Sequence, residues 1–154
     1  MPASKISILY IDDEENNLTS FKATFRRDYK IHTAISADEG RKILEDNPVD
    51  IIITDQRMPD ETGVEFLSSI LEKYPEPIRI LLTGYTDIEA VIDAINKGQV
   101  YRYITKPWNE QELRMNIENA YEVYRLRKEN KELLEKLKKA NQQLEFLLRQ
   151  KLLD

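Results

Sequence analysis

The stretch Val49-Asp50-Ile51-Ile52-Ile53-Thr54-Asp55-Gln56-Arg57-Met58-Pro59-Asp60 decides the fold. Val49, Ile51, Ile52 and Ile53 form a short β-branched run with no solvated face, which predicts a central strand of a parallel sheet covered on both sides. Asp55 ends the run. A carboxylate at the C-terminal end of a buried parallel strand, followed by a loop with Pro59 and then Gly63, stands where open α/β sheets keep their chemistry. An aspartate also commonly caps a turn after a strand, so residues elsewhere must decide between the two readings.

Upstream, Ile6, Ile8, Leu9, Tyr10 and Ile11 predict a first strand that runs into Asp12-Asp13-Glu14-Glu15. Adjacent carboxylates repel one another unless a cation or a lysine lies among them, so this strand end invites a metal. A helix with Leu18, Phe21, Ala23 and Phe25 on its apolar side follows, then a second strand over Tyr29–Ala34. Ser36 and Glu39 form a capping box for the second helix, which turns Ala37, Ile43 and Leu44 inward and stops at Asn47-Pro48. His32, the only histidine, reads as a surface residue at a strand end.

Downstream, a third helix is expected from about Val64 to Tyr74, ended by Pro75 and Pro77. Ile78–Leu82 predicts the fourth strand, leading into Thr83-Gly84. Thr86 and Glu89 offer a capping box for a fourth helix over Asp87–Asn96, with Ile88, Val91, Ile92 and Ile95 inward and Gly98 at C′. Val100–Ile104 predicts the fifth strand, leading into Thr105-Lys106-Pro107-Trp108. The Lys106-Pro107 bond is a candidate cis peptide.

Five β-then-α units imply a doubly wound parallel sheet with helices on both faces. With right-handed crossovers, every strand C-terminus opens on one edge. That edge would display Asp12 and Asp13, Asp55, Thr83 and Lys106. Asp55 with one or both of the upstream aspartates can supply hard oxygen ligands to Mg²⁺; calcium is less expected, since no EF-hand loop is present. Asp55 is then placed to act as a nucleophile toward a phosphoryl group, with Thr83 and Lys106 binding the oxygens that the metal leaves free.

Asp12-Asp13 after strand one, Asp55 after strand three, Thr83-Gly84 after strand four and Lys106-Pro107 after strand five resemble the receiver domain of bacterial two-component response regulators over about residues 4–125. The resemblance implies the flavodoxin-like strand order 2-1-3-4-5. It also implies phosphoryl transfer from a histidine kinase, or a phosphotransfer protein, to Asp55. Asp13, Asp55 and the backbone carbonyl of Arg57 would hold Mg²⁺, with Asp12 acting through a water. It further implies a switch in which the Thr83 hydroxyl moves toward the phosphoryl group and Tyr103 turns inward, with Tyr101 competing only if the register is misjudged by two. Helix 4, strand 5 and helix 5 would form the output face. Arg57 and Tyr85, two residues past Asp55 and Thr83, are expected to obstruct hydrolytic water and prolong the phosphorylated state.

Asn109 and Glu112 form a further capping box, and no Pro or Gly follows from Trp108 to Asp154. Leu113, Ile117, Ala120 and Tyr121 suit packing on the sheet, after which a heptad sets in. Val123, Asn130, Leu137 and Leu144 take a, and Leu126, Leu133, Ala140 and Leu147 take d. A polar Asn at one a position fixes register in a parallel dimer. Leu134 and Leu148 at e widen the seam, leaving a higher oligomer open. The expected organisation is thus a receiver domain over 1–122 and a coiled-coil helix over 123–154, continuous with helix 5.

Composition agrees. With 154 residues, 41% hydrophobic and 33% charged, the chain suits one core with a polar extension. Residues 1–117 hold 14 Lys plus Arg against 21 Asp plus Glu, and residues 118–154 hold 9 against 7. An acidic globular part and a mixed-sign tail argue against direct nucleic-acid contact. Zero cysteines exclude disulfides and thiolate metal sites. No apolar run of membrane-spanning length and no signal-peptide core is present, so no membrane partner and a cytoplasmic location are expected. No output domain is evident before Asp154, which leaves a truncated chain or a coil that recruits a partner. Two other classes compete: a phosphohydrolase with Asp55 as nucleophile, weakened because Gln56 and Arg57 follow where a D-x-D acid is needed, and an inert receiver-like adaptor.

Overall fold

The computed structural model describes residues 5–153, with Tyr85 through its backbone alone. Five parallel strands, β1 (Ser7–Ile11), β2 (Lys30–Ala34), β3 (Ile51–Asp55), β4 (Ile78–Thr83) and β5 (Arg102–Thr105), form one sheet of order β2-β1-β3-β4-β5. Between them run α1 (Glu15–Phe25), α2 (Ala37–Asp46), α3 (Gly63–Ile70) and α4 (Ile88–Asn96), and α5 (Glu110–Leu153) follows β5. β1, β3 and β4 are buried along their whole length, as mainly apolar strands are in a sheet covered on both faces, and the one buried arginine among them, Arg79 of β4, donates to the Gln99 and Pro77 carbonyls.

The strand faces sort the core into two clusters. Ile8, Tyr10, Ile51, Ile53, Ile80 and Ile104 pack against Phe21 and Phe25 of α1 and Leu113 and Ile117 of α5. Leu9, Ile11, Ile52 and Leu81 pack against α2, α3 and α4 through Leu44, Phe66, Leu67 and Val91. Each such side chain contributes roughly 1.5–3 kcal/mol of burial.

Local chemistry explains the element ends. Ser36 Oγ accepts the Glu39 N–H at 3.1 Å, and Asn109 Oδ1 accepts the Glu112 N–H at 3.1 Å. Thr62 and Glu65 form a complete capping box at α3, a T-x-x-E signal that the sequence reading passed over. Gly98 sits at φ 74° and closes α4, where a side chain would be strained. The Lys106-Pro107 bond is cis.

Several expectations shift. The regular third helix ends at Ile70 rather than Tyr74; Leu71 keeps a helical backbone and Tyr74 N–H still donates to Ile70 O at 2.8 Å, so a last turn runs on until Pro75. Thr86 and Glu89 form no capping box. Tyr85–Asp87 winds as a 3₁₀ turn, α4 starts at Ile88, and the Thr86 hydroxyl instead meets the Arg57 guanidinium. Ile92 is 44% exposed, since α4 is rolled toward the small Ala94 and buries Val91 and Ala94 instead. Ala23 is exposed on α1 while Leu18, Phe21 and Phe25 are buried. His32 lies inside edge strand β2 opposite Leu9, half-buried, and its Nε2 has no hydrogen-bond partner among the described residues.

α5 is one helix of 44 residues, about 66 Å long. Its first part buries Leu113, Asn116, Ile117 and Ala120. Val123 still packs on the domain's own core, so the uncovered seam begins at Leu126. Leu126, Leu133, Leu134, Leu137, Leu144, Leu147 and Leu148 are each between 51% and 63% exposed.

Candidate functional site

Parallel pairing places the predicted residues on one edge. Asp55 stands opposite Leu82, and Thr83 opposite Thr105, so β4 and β5 end level and β3 ends one residue short of them. Backbone bonds hold the strand ends together: Asp12 N–H donates to Ala34 O at 3.1 Å, Gln56 N–H to Leu82 O at 3.0 Å, and Lys106 N–H to Thr83 O at 3.0 Å. Gly63 permits the close approach of α3. A Cβ there would lie 2.5 Å from the Asp55 carbonyl oxygen and 2.6 Å from Leu81 Cδ1.

Asp12, Asp13 and Asp55 each bring a carboxylate oxygen within 4.8 Å of the others. Asp12 is fully buried, Asp55 is 4% exposed and Asp13 is half-buried. The Lys106 ammonium forms an ion pair with Asp55. Burial pushes the Asp55 carboxyl above its ordinary range; Lys106 opposes this, and Asp12 and Asp13 add to it. Net, the pocket holds more negative charge than one ammonium offsets. Three hard oxygen donors converging on a small space fit a cation such as Mg²⁺ and do not fit a thiolate-seeking metal.

Asp12 is held by the protein itself. Its Oδ2 accepts the Tyr10 hydroxyl at 2.7 Å and Asn17 Nδ2 at 3.0 Å, while Oδ1 accepts the Glu14 N–H at 2.9 Å. Burial, and then this bond to Asp12, drive the Tyr10 phenol far above its usual range, so it stays a donor. Sequence reasoning missed Tyr10 and Asn17 as members of the site. A polar-tipped residue in an otherwise aliphatic buried strand, two positions before a carboxylate, was the available signal.

Thr83 is fully buried, and its Oγ1 donates to Gly84 O at 3.2 Å. Tyr103 lies in β5 opposite Leu81, half-buried against the cluster under α4; Tyr101 lies outside the strand and packs on the other cluster. Arg57 reaches across the mouth, its Nε donating to Asp87 Oδ2 at 2.9 Å and an Nη to Thr86 Oγ1 at 3.1 Å. The Tyr85 side chain lies outside the described part of the structure. Arg41, also unforeseen, donates from α2 to Glu61 in the loop after Asp55 and to Ser69 of α3, which braces that loop. Gln56, 7% exposed, accepts the Val64 N–H at 2.9 Å and ties the same loop to the start of α3.

A doubly wound parallel sheet with three carboxylates, a buried hydroxyl and one paired ammonium on its C-terminal edge defines a flavodoxin-like domain of the CheY type. The chain belongs to the response regulator receiver domain family, whose sequence pattern matches residues 8–118. Among curated relatives, the hydrogenase transcriptional regulatory protein HoxA of Bradyrhizobium diazoefficiens is 37% identical over 123 residues, 80% of this chain and 25% of its own length. The chain thus spans about a quarter of that relative. Among solved structures, a response regulator receiver domain protein from Clostridium thermocellum is 35% identical, with a TM-score of 0.73 over 80% of this chain and 98% of that one. An adenylate cyclase structure from Rhodopirellula baltica is 29% identical, with a TM-score of 0.82 over 86% and 98%. Among the described residues, no helix is long and apolar enough to cross a membrane.

Proposed function

We propose that the chain is a phosphoacceptor signalling domain in which Asp55 takes a phosphoryl group from the phosphohistidine of a kinase or phosphotransfer protein. An Asp55 carboxylate oxygen forms a bond to phosphorus as the P–N bond breaks, and the departing imidazole takes up a proton. The observation that carries this reading is the buried carboxylate of Asp55, opposite the residue before Thr83 and paired to Lys106. The Lys106 ammonium is placed to exchange its carboxylate partner for phosphoryl oxygens, and the Thr83 hydroxyl to leave Gly84 O and donate to them. Mg²⁺, when bound by Asp13, Asp55 and the Arg57 carbonyl, supplies the positive charge that lets two anions approach. Asp12 contributes through a water.

In this reading the signal leaves through α4, β5 and α5. Movement of Thr83 frees space that the Tyr103 ring fills, which biases a pre-existing equilibrium. Exposed Ile92 on α4 and Met115 on α5 support an output role for that face. The leucine seam from Leu126 onward supports a parallel homodimer registered at Asn130, since a long helix with an uncovered apolar stripe rarely stays single in water. The greater length of the HoxA relative supports a receiver that reports to a further domain.

Incubating the protein with Mg²⁺ and a small phosphodonor, then weighing the intact chain, separates the classes. One added phosphoryl group that is lost in Asp55→Asn is expected. Continuous release of free phosphate at enzymatic rates would favour a phosphohydrolase, and an unchanged mass an inert adaptor.

A further inference from the structure

The three carboxylates of the acid pocket are not held alike. Asp12 has no exposed surface, and three of the roughly four lone-pair positions of its carboxylate are occupied by Tyr10 Oη, Asn17 Nδ2 and the Glu14 N–H. The Tyr10 ring is itself fixed, 1% exposed and with its centroid 4.4 Å from that of Phe21. Asn17 projects from the first turn of α1 and also reaches Glu14 Oε2 at 3.3 Å. By contrast, the Asp55 carboxylate is engaged by the flexible ammonium of Lys106, and Asp13 is half-buried.

We propose that Tyr10 and Asn17 are positioning residues that set the cation selectivity of the pocket by locking Asp12 out of direct coordination. The inference rests on the Mg²⁺ reading above. Mg²⁺ takes six ligands at about 2.0–2.1 Å and keeps several waters, so two movable carboxylates suffice for it. Ca²⁺ takes six to eight oxygens at about 2.3–2.6 Å and gains from each further carboxylate that can turn toward it. An Asp12 whose oxygens already accept three hydrogen bonds is held near the other two carboxylates but kept from turning to supply that extra ligand, and its remaining lone pair is left for a metal-bound water. The tyrosine hydroxyl therefore acts through Asp12 and touches neither cation nor phosphoryl group.

Calorimetric titration of the full chain with Mg²⁺ and, separately, Ca²⁺ tests the idea without phosphotransfer. Removing a partner that orients a metal-site group costs about 10–100-fold in affinity. Tyr10→Phe should therefore weaken Mg²⁺ by roughly tenfold while Ca²⁺, offered the freed Asp12 oxygen, binds as well or more tightly, so the Mg²⁺ preference falls. Asn17→Ala should act in the same direction. Phe21→Leu disturbs the same aromatic packing but keeps the hydroxyl, and should leave the preference unchanged. An unaltered preference in both Tyr10→Phe and Asn17→Ala overturns the inference and leaves the Mg²⁺ reading standing, as does an equal shift in Phe21→Leu. Failure of the wild-type protein to bind either cation removes the Mg²⁺ reading and this inference together.

Discussion

Arg57 Nε donates to Asp87 Oδ2 at 2.9 Å, so the loop after β3 is tied to the 3₁₀ turn after β4 across the mouth of the acid pocket. The pair is a surface one, with Arg57 73% exposed, and solvent screening leaves it little net stability to contribute. Its consequence is positional: it holds the Arg57 side chain against the turn after β4. Arg57→Ala, combined with Tyr85→Ala, is expected to shorten the lifetime of the phosphorylated protein, and Asp87→Asn to do so partially. Phosphate release followed after donor removal checks this; equal lifetimes in all variants would remove the gate.

Gly63 is where the fold meets the site most tightly. Any Cβ must displace both the Asp55 carbonyl and the Leu81 side chain, and the carbonyl belongs to the backbone. Gly63→Ala should cost about 1–3 kcal/mol, the usual range for overpacking, and lower the melting temperature accordingly. Because α3 would be pushed off the end of β3, phosphorylation of residue 55 should slow as well. A thermal melt with a phosphorylation time course measures both.

How much of this was legible in the sequence follows from what each residue answers to. β1, β3 and β4 could be read because buried parallel strands are mostly β-branched and aliphatic, even with Arg79 inside β4, and Asp55 because a charge ends such a run. The roll of α4 could not be read: Ile88, Val91, Ile92 and Ile95 share one stripe, and only packing decides that Ala94 goes inward and Ile92 out. The Thr86 and Glu89 capping pattern fails because it says nothing of an arginine 29 residues upstream that claims the Thr86 hydroxyl. Tyr10 was counted as a core aromatic. Its hydroxyl's partner is two residues away in sequence, but burial of that partner is a tertiary fact.

His32 gives a pH signature. Burial, and then Lys30 and Lys22, push its imidazole below the ordinary value of 6.5. The unfolded chain therefore binds a proton there at higher pH than the folded one, and stability must fall as pH drops through about 6.5 toward the lowered folded value. His32→Gln should flatten this part of the profile. Urea melts from pH 7.5 down to 5.5 on both proteins measure it; parallel profiles would contradict the assignment.

The seam past Val123 makes a prediction about assembly. The sequence has no cysteine, so a single Leu137→Cys reports only the geometry of that position. Parallel, in-register helices bring two a positions together, and the variant should cross-link to a dimer under mild oxidation. Adding Asn130→Ile should raise the thermal stability of the oligomer and lower the cross-link yield as register is lost. Absence of cross-linking with sedimentation as a monomer would contradict a helical dimer.

The central claim is that Asp55, and no neighbouring carboxylate, accepts the phosphoryl group. Borohydride reduction of the phosphorylated chain converts an aspartyl phosphate to homoserine, which peptide mass spectrometry can locate. The account predicts homoserine at residue 55 alone, dependent on Mg²⁺ and absent in Asp55→Asn. Conversion at Asp12 or Asp13, or an undiminished phosphoryl signal in Asp55→Asn, would contradict it.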